Sequence, residues 1–112
     1  MIDFDKAVIA GPFHPAFGEL VYANLFLKAM IRCIESMDLH EAGNNLVISV
    51  NSRKVSIAIG QKQSNQIELT HLLRKNYPHK TIELKINGNP DIEHNKIRLS
   101  MGDQHAMVNI IN

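Results

Sequence analysis

The hydrophobic pattern of the chain opens with one long amphipathic segment. Apolar residues recur every three or four positions from about residue 16 to 37, which predicts a helix. Its apolar face comprises Phe17, Leu20, Val21, Leu27, Ile31 and Ile34. A short apolar run, AVIA at residues 7–10, precedes the helix and predicts a buried strand. Further apolar positions widen the apolar arc, so we expect a strip around Phe26, Met30 and Met37 to stay exposed and bind a partner or a second copy.

The middle of the chain predicts a strand, two helices and another strand. LVISV at 46–50 is rich in β-branched residues, as buried strands are. Asn51 or Ser52 can cap a short helix over residues 53–59, which Gly60 would end in a left-handed conformation. Ser64 can cap the next helix, and Pro78 stops it. TIELKIN at 81–87 alternates apolar and polar residues, so it predicts a strand with one solvent-exposed face.

The C-terminal part reads as a β-hairpin around the turn residues GDQ. Ile97, Leu99 and Met101 alternate on one side of it, and Ala106, Val108 and Ile110 on the other. The element order is therefore strand, long helix, strand, two helices, strand and hairpin. This order predicts an α+β fold, with helices packed on a small antiparallel or mixed sheet.

Composition and charge narrow the class of protein. The 112 residues fit one domain, and 45% of them are hydrophobic, so we expect a globular fold. The single cysteine, Cys33, allows no internal disulfide and favours a reducing, cytoplasmic setting. No apolar run approaches the ~18 residues that a membrane span needs, and the acidic start of MIDFDKAVIA does not resemble a signal peptide. We therefore expect no membrane partner.

Basic residues are concentrated in the middle of the chain, although the net charge is only +1. Residues 46–80 contain six Lys or Arg and a single carboxylate, Glu68, whereas the first 45 residues contain three Lys or Arg and six carboxylates. The basic residues of the middle segment are Arg53, Lys54, Lys62, Arg74, Lys75 and Lys80. Any nucleic-acid site must therefore be a local patch in this segment.

The stretch IGQKQSN at residues 59–65 resembles the IGxKGxN loop of KH domains in bacterial transcription elongation factors. KH domains place a GxxG loop between two helices and clamp about four nucleotides by their backbone. The resemblance implies a KH-like β-α-α-β core, with Arg53, Lys54, Gly60, Gln61, Lys62, Ser64 and Asn65 as the nucleic-acid-binding residues and single-stranded RNA or tRNA as the ligand. The chain departs from the pattern at the second glycine, which is Gln63. A side chain there can block a phosphate, so an ordinary helix corner remains an alternative.

The stretch VIAGPFHPAFGELV at residues 8–21, together with VNSRKVSIAIGQKQSN, resembles the region that follows the catalytic core in clostridial radical SAM proteins of the elongator-type or a related group. The resemblance covers most of the chain. It implies that residues 1–112 form one accessory domain, a fragment of a longer chain, with Phe13, His14 and Phe17 contacting an upstream radical SAM domain. The [4Fe-4S] cluster and S-adenosylmethionine would belong to that parent chain, because the CxxxCxxC cluster motif is absent here.

Other chemistry finds little support in the sequence. None of the six histidines stands in an HxxxH, HxH or HExxH spacing, so we expect no metal site. The chain contains no GxSxG, Walker or GxGxxG motif, and we expect no catalytic residues. Two classes of function remain open. One is an RNA-binding accessory domain. The other is a structural or interaction domain that packs on a catalytic domain or self-associates.

Overall fold

The computed structural model describes the backbone of residues 15–111 and the side chains of residues 18–111. The predicted strand at residues 7–10 lies outside this range. The structure has a long helix α1 (Pro15–Ser36), close to the predicted span. A central unit follows, with β1 (Asn45–Val50), α2 (Val55–Ile59), α3 (Ser64–Asn76) and β2 (Glu83–Gly88). The hairpin strands β3 (Lys96–Met101) and β4 (Gln104–Asn109) complete the chain.

The strands form one four-stranded mixed sheet in the order β2-β1-β3-β4. β1 pairs in parallel with β2, so the chain must cross over through α2 and α3 to return to the sheet. β1 pairs with β3 in antiparallel fashion, and β3 pairs with β4 as a hairpin. The fold is therefore α+β, as the element order predicted.

The hydrophobic core lies between the three helices and one face of this sheet. Alternate residues of β1 and β3 point toward the helices, and these are Leu46, Ile48, Val50, Ile97, Leu99 and Met101. Because Leu99 pairs with Ala106, the two predicted apolar sets of the hairpin lie on the same face of the sheet. From the helices, Phe26, Met30, Ile34, Leu69 and Leu73 fill the other side of the core.

The prediction of an exposed apolar strip on the long helix is wrong. Phe26 and Met30 have no exposed surface, and Met37 is half-buried against the core. The two other helices cover α1 together with strands β3 and β4, so these elements bury a wider arc of the helix than one sheet face would. The exposed apolar residues lie instead near the start of α1, where Leu20 and Val21 are 44% and 47% exposed.

The opposite face of the sheet carries mostly polar side chains. Lys85, Arg98, His105 and Met107 are exposed on it, and near its centre the Ser49 hydroxyl donates a hydrogen bond of 2.9 Å to the Asn87 side chain.

None of the helices in the described part of the chain is long and apolar enough to cross a membrane.

Candidate nucleic-acid interface at the Gly60 corner

The backbone between α2 and α3 makes a sharp corner at Gly60, as the sequence predicted. Gly60 has φ 87° and ψ 162°, a positive φ but not the left-handed helical conformation expected. A cap hydrogen bond of 3.0 Å from its N–H to the Ser56 carbonyl ends α2. A tight turn over Gln61–Gln63, closed by a hydrogen bond of 3.0 Å from the Gln63 N–H to the Gly60 carbonyl, then leads into α3.

Packing explains why residue 60 is a glycine. A Cβ atom at this position would lie 2.5 Å from the Ser64 hydroxyl oxygen and 2.9 Å from the Asn65 backbone nitrogen. Only glycine lets the end of α2 approach the start of α3 this closely at a positive φ. The glycine thus has a sufficient structural cause, whether or not a ligand approaches it.

Two consecutive residues beyond Gly60 adopt a left-handed conformation, although neither is a glycine. Lys62 has φ 54° and ψ 31°, and Gln63 has φ 63° and ψ 27°. Such a conformation costs a non-glycine residue about 1–2 kcal/mol. Gln63 therefore adopts the backbone conformation that a second glycine of a GxxG loop would take readily, while its exposed side chain projects from the corner.

The start of α3 lacks a side-chain cap. The predicted cap, Ser64, is already the first helical residue, and Gln63 at the capping position makes no side-chain hydrogen bond to the helix. Serine fails as a cap here because its backbone has helical angles, φ −59° and ψ −41°, whereas a capping serine needs extended ones. Helix starts present N–H groups that have no partner within the helix. Here the N–H groups of Gln63 and Ser64 already donate to the Gly60 and Gln61 carbonyls, so only the remaining N–H groups can donate to an anion.

Asn65 belongs to the fold rather than to an exposed surface. Its side chain is buried, and its amide nitrogen donates to the carbonyls of Ala23 at 2.9 Å and Ala58 at 3.1 Å. This one amide therefore joins α1, the end of α2 and the start of α3. Of the residues predicted to bind nucleic acid, Asn65 can offer only its backbone.

The structure divides the remaining predicted residues into two groups. Gln61, Lys62 and Ser64 are exposed together at the corner. Arg53 and Lys54 lie at the other end of α2, about 7–8 Å away by the rise of a five-residue helix.

Side chains and caps fix the positions of that second pair. Lys54 places its ammonium nitrogen 4.9 Å from the centre of the Tyr22 ring, a cation–π contact. The Arg53 backbone N–H is capped by the Asn51 side chain, as predicted, at 2.9 Å, while its own side chain is exposed. The corner therefore has one local cation, Lys62, and the flanking pair extends the basic surface along α2.

A shallow cavity of about 190 Å³ lies beside the corner. Its lining residues are Glu19, Leu20, Ala23, Ser56, Ile57, Gly60 and Gln61. The sequence did not single out Leu20 or Ile57 for such a site, because both fit the apolar faces of their helices. The lining mixes apolar side chains with Ser56, Gln61 and one carboxylate, Glu19, and the negative charge of Glu19 disfavours a phosphate in this cavity.

The predicted interdomain residues cannot be compared with the structure, and the cysteine lies in the core. Phe13 and His14 lie outside the described residues, as does the side chain of Phe17. Cys33 is buried in the core, and burial raises the pKa of its thiol, which keeps the thiol protonated and unreactive. Among residues 18–111, no group of three or more His, Cys, Asp or Glu side chains is arranged to hold a metal ion.

Comparison of the chain with models of protein families, with curated proteins and with solved structures finds no match. The KH-like and radical SAM resemblances therefore stay predictions from the sequence motifs.

Proposed function

We propose that this chain is an accessory domain that binds single-stranded RNA weakly at the Gly60 corner. Lys62 supplies the charge for one phosphate. Within residues 61–65, the backbone N–H groups that the corner does not already use supply hydrogen bonds, whereas those of Gln63 and Ser64 donate to the Gly60 and Gln61 carbonyls. Arg53 and Lys54 steer the flanking nucleotides along α2. The observation that carries the proposal is the uncapped start of α3 beside an exposed lysine, in a backbone held left-handed at two consecutive residues.

Weak binding follows from the same geometry. Only one cation lies at the corner, so few counterions are released when RNA binds. The exposed Gln63 side chain also crowds the approach of a phosphate to the backbone. Asn65 takes no direct part through its side chain, because both donors of its amide are used within the fold.

Titration of labelled single-stranded RNA at low salt tests the proposal. Lys62→Ala should reduce the slope of log affinity against log salt by roughly 0.7, the value for one single-strand phosphate contact. Gln63→Gly should tighten binding by opening the approach. Lys85→Ala is the matched control, because Lys85 is an exposed lysine on the open face of the sheet, away from the corner. Equal and negligible affinity in all four proteins would exclude the proposed function.

The sequence motifs support a further part of the proposal, that the parent chain is a radical SAM enzyme. In that case the cluster and S-adenosylmethionine belong to an upstream domain, and this domain presents RNA or tRNA to it. Reading the upstream coding sequence tests this part alone. A CxxxCxxC motif there would support it, and an unrelated domain would exclude it.

The exposed apolar residues of α1 favour a second candidate function, self-association or packing on another domain. Leu20 and Val21 are close together near the start of the helix. If this surface joins two copies, Leu20→Asp should abolish any rise in mass with concentration in sedimentation experiments. Ile67→Asp is the control, because Ile67 is an equally exposed apolar residue on α3. A strict monomer for the unaltered protein would exclude self-association.

A further inference from the structure

A second cleft lies at the far end of α3, about 20 Å along the helix from the Gly60 corner. One lobe, of about 350 Å³, is lined by Arg74, Tyr77, Pro78, Lys80, Thr81 and Ile82. A second lobe, of about 200 Å³, is lined by His40, Asn76, Tyr77, Pro78, His79 and Lys80. Because Tyr77, Pro78 and Lys80 line both lobes, we treat them as one cleft and call it the Lys80 cleft.

The lysine of this cleft is held in place before any ligand arrives. The Lys80 ammonium donates to the Leu39 carbonyl at 2.8 Å and to the His40 carbonyl at 3.0 Å. An ammonium group has three N–H donors, so one remains for a ligand. A long flexible side chain normally loses conformational entropy when it binds, and here much of that loss has occurred on folding.

Tyr77 fixes the position of residues 37–40, which face Lys80. The Tyr77 hydroxyl accepts a hydrogen bond from the Leu39 backbone N–H at 3.2 Å and lies 3.4 Å from the Met37 carbonyl. The His40 ring packs edge-on against the Tyr77 ring, with centroids 4.7 Å apart. The walls of the cleft are therefore anchored by buried tyrosine contacts rather than by surface side chains alone.

The charge of the cleft is positive. Arg74 and Lys80 line it together with the imidazoles of His40 and His79, and no carboxylate is among its described lining residues. One carboxylate outside the lining, Asp38, interacts with the Lys80 charge and contacts the His40 ring nitrogen at 2.9 Å. The two cations also offset the partial negative charge at the C-terminal end of α3.

We propose that the Lys80 cleft binds a phosphate group. A guanidinium and a fixed ammonium suit the tetrahedral, doubly charged oxygens of a phosphate monoester, and the Thr81 hydroxyl adds a donor. The apolar walls, Pro78 and Ile82, would cover the organic part of the ligand. The phosphate is carried either by a small metabolite or by the terminus of a nucleic acid. This site does not depend on RNA binding at the Gly60 corner, with which it shares no residue.

The test is a titration of the full ¹⁵N-labelled chain followed by amide chemical shifts. The probes are inorganic phosphate, adenosine 5′-monophosphate, and one short RNA with either a 5′-phosphate or a 5′-hydroxyl. We expect the amide shifts of residues 39–40, 77 and 79–82 to saturate below about 10 mM ligand, ten times a millimolar dissociation constant. Tighter binding of adenosine 5′-monophosphate than of inorganic phosphate indicates that a small metabolite carries the phosphate. Tighter binding of the 5′-phosphorylated RNA than of the 5′-hydroxyl RNA indicates that the end of a nucleic acid carries it.

Two variants distinguish specific binding of phosphate in the cleft from a general attraction to the positive surface. Arg74→Ala should weaken phosphate binding at least fivefold, because Arg74 lines the cleft. Lys75→Ala should leave it unchanged, because the neighbouring lysine has the same charge, lies on the same helix and is not among the lining residues. Lys62→Ala should also leave it unchanged, which separates this site from the corner. Equal losses in Arg74→Ala and Lys75→Ala, or shifts that do not saturate, would overturn the proposal.

Discussion

At the scale of single residues, the corner combines side chains fixed by the fold with side chains left exposed. Gly60 allows a close approach of the helix ends that a Cβ atom would block, and the Asn65 amide joins three helices. Lys62 and Gln63, which lie between them in the chain, are exposed in a conformation that their own chemistry disfavours. The sequence alone did not separate these two roles, because all four residues lie within one polar stretch.

Gly60→Ala should destabilise the protein by about 2–4 kcal/mol, because the added methyl group meets Ser64 and the α3 backbone at a positive φ. Gly18→Ala is the matched control. Gly18 lies in α1 with nothing within 4 Å of an added Cβ, so its replacement should stabilise by about 0.5–1 kcal/mol. Urea unfolding of both variants measures the difference. Equal effects of the same sign would contradict the structure of the corner.

Asn65→Ala should cost about 1–3 kcal/mol, since it leaves the Ala58 carbonyl near the end of α2 without its donor, whereas the Ala23 carbonyl keeps its N–H donor within α1. Asn24→Ala, at an exposed asparagine on α1, should change stability by less than about 0.5 kcal/mol. Thermal and urea unfolding provide the comparison. A near-neutral Asn65→Ala would show that its amide does not join the three helices.

Asp38 should contribute to stability in a pH-dependent way. Hydrogen bonds from the His40 side chain and backbone, with minor help from the Lys80 charge, hold the pKa of the Asp38 carboxyl below its usual 3.8. A lowered folded-state pKa means that the contribution is present above about pH 4 and is lost as pH falls through the folded value. Asp38→Asn should therefore be less stable at neutral pH, with the difference shrinking in acid. A difference that persists unchanged at pH 3 would refute this account.

At the scale of elements, the hydrophobic periods predicted most of the fold. The long helix, the strand–helix–helix–strand unit and the hairpin all formed near their predicted positions, because each has a clear apolar face. The sequence did not predict the parallel pairing of β1 with β2, which depends on how α2 and α3 cross the sheet. It also misplaced the cap of α3 and the exposed apolar surface of α1, since both depend on tertiary contacts that no local pattern records.

Gln63→Gly should stabilise the corner by about 0.5–1 kcal/mol. It removes a left-handed strain of about 1–2 kcal/mol, less the 0.5–1 kcal/mol that glycine's freedom adds to the unfolded chain. Gln66→Gly, three residues into α3, should instead destabilise by about 1 kcal/mol. In urea unfolding, Gln63→Gly should raise the free energy of unfolding and Gln66→Gly should lower it. A destabilising Gln63→Gly would show that the left-handed conformation carries no strain.

At the scale of the whole molecule, the two candidate sites lie at opposite ends of α3. The Gly60 corner has an exposed lysine and an uncapped helix start, while the Lys80 cleft has a fixed ammonium and a guanidinium. Both lie on the helical side of the molecule, whereas the exposed residues of the open sheet face are Lys85, Arg98, His105 and Met107. A ligand that uses the corner should therefore leave the face around Arg98 and Met107 undisturbed.

Amide chemical-shift mapping of the ¹⁵N-labelled chain with single-stranded RNA at low salt tests this claim most directly. We expect the largest RNA-induced shifts on the backbone amides of residues 61–66, smaller ones on Arg53 and Lys54, and none on the open face of β3 and β4. Shifts confined to the open sheet face, or no shifts anywhere at millimolar RNA, would contradict it.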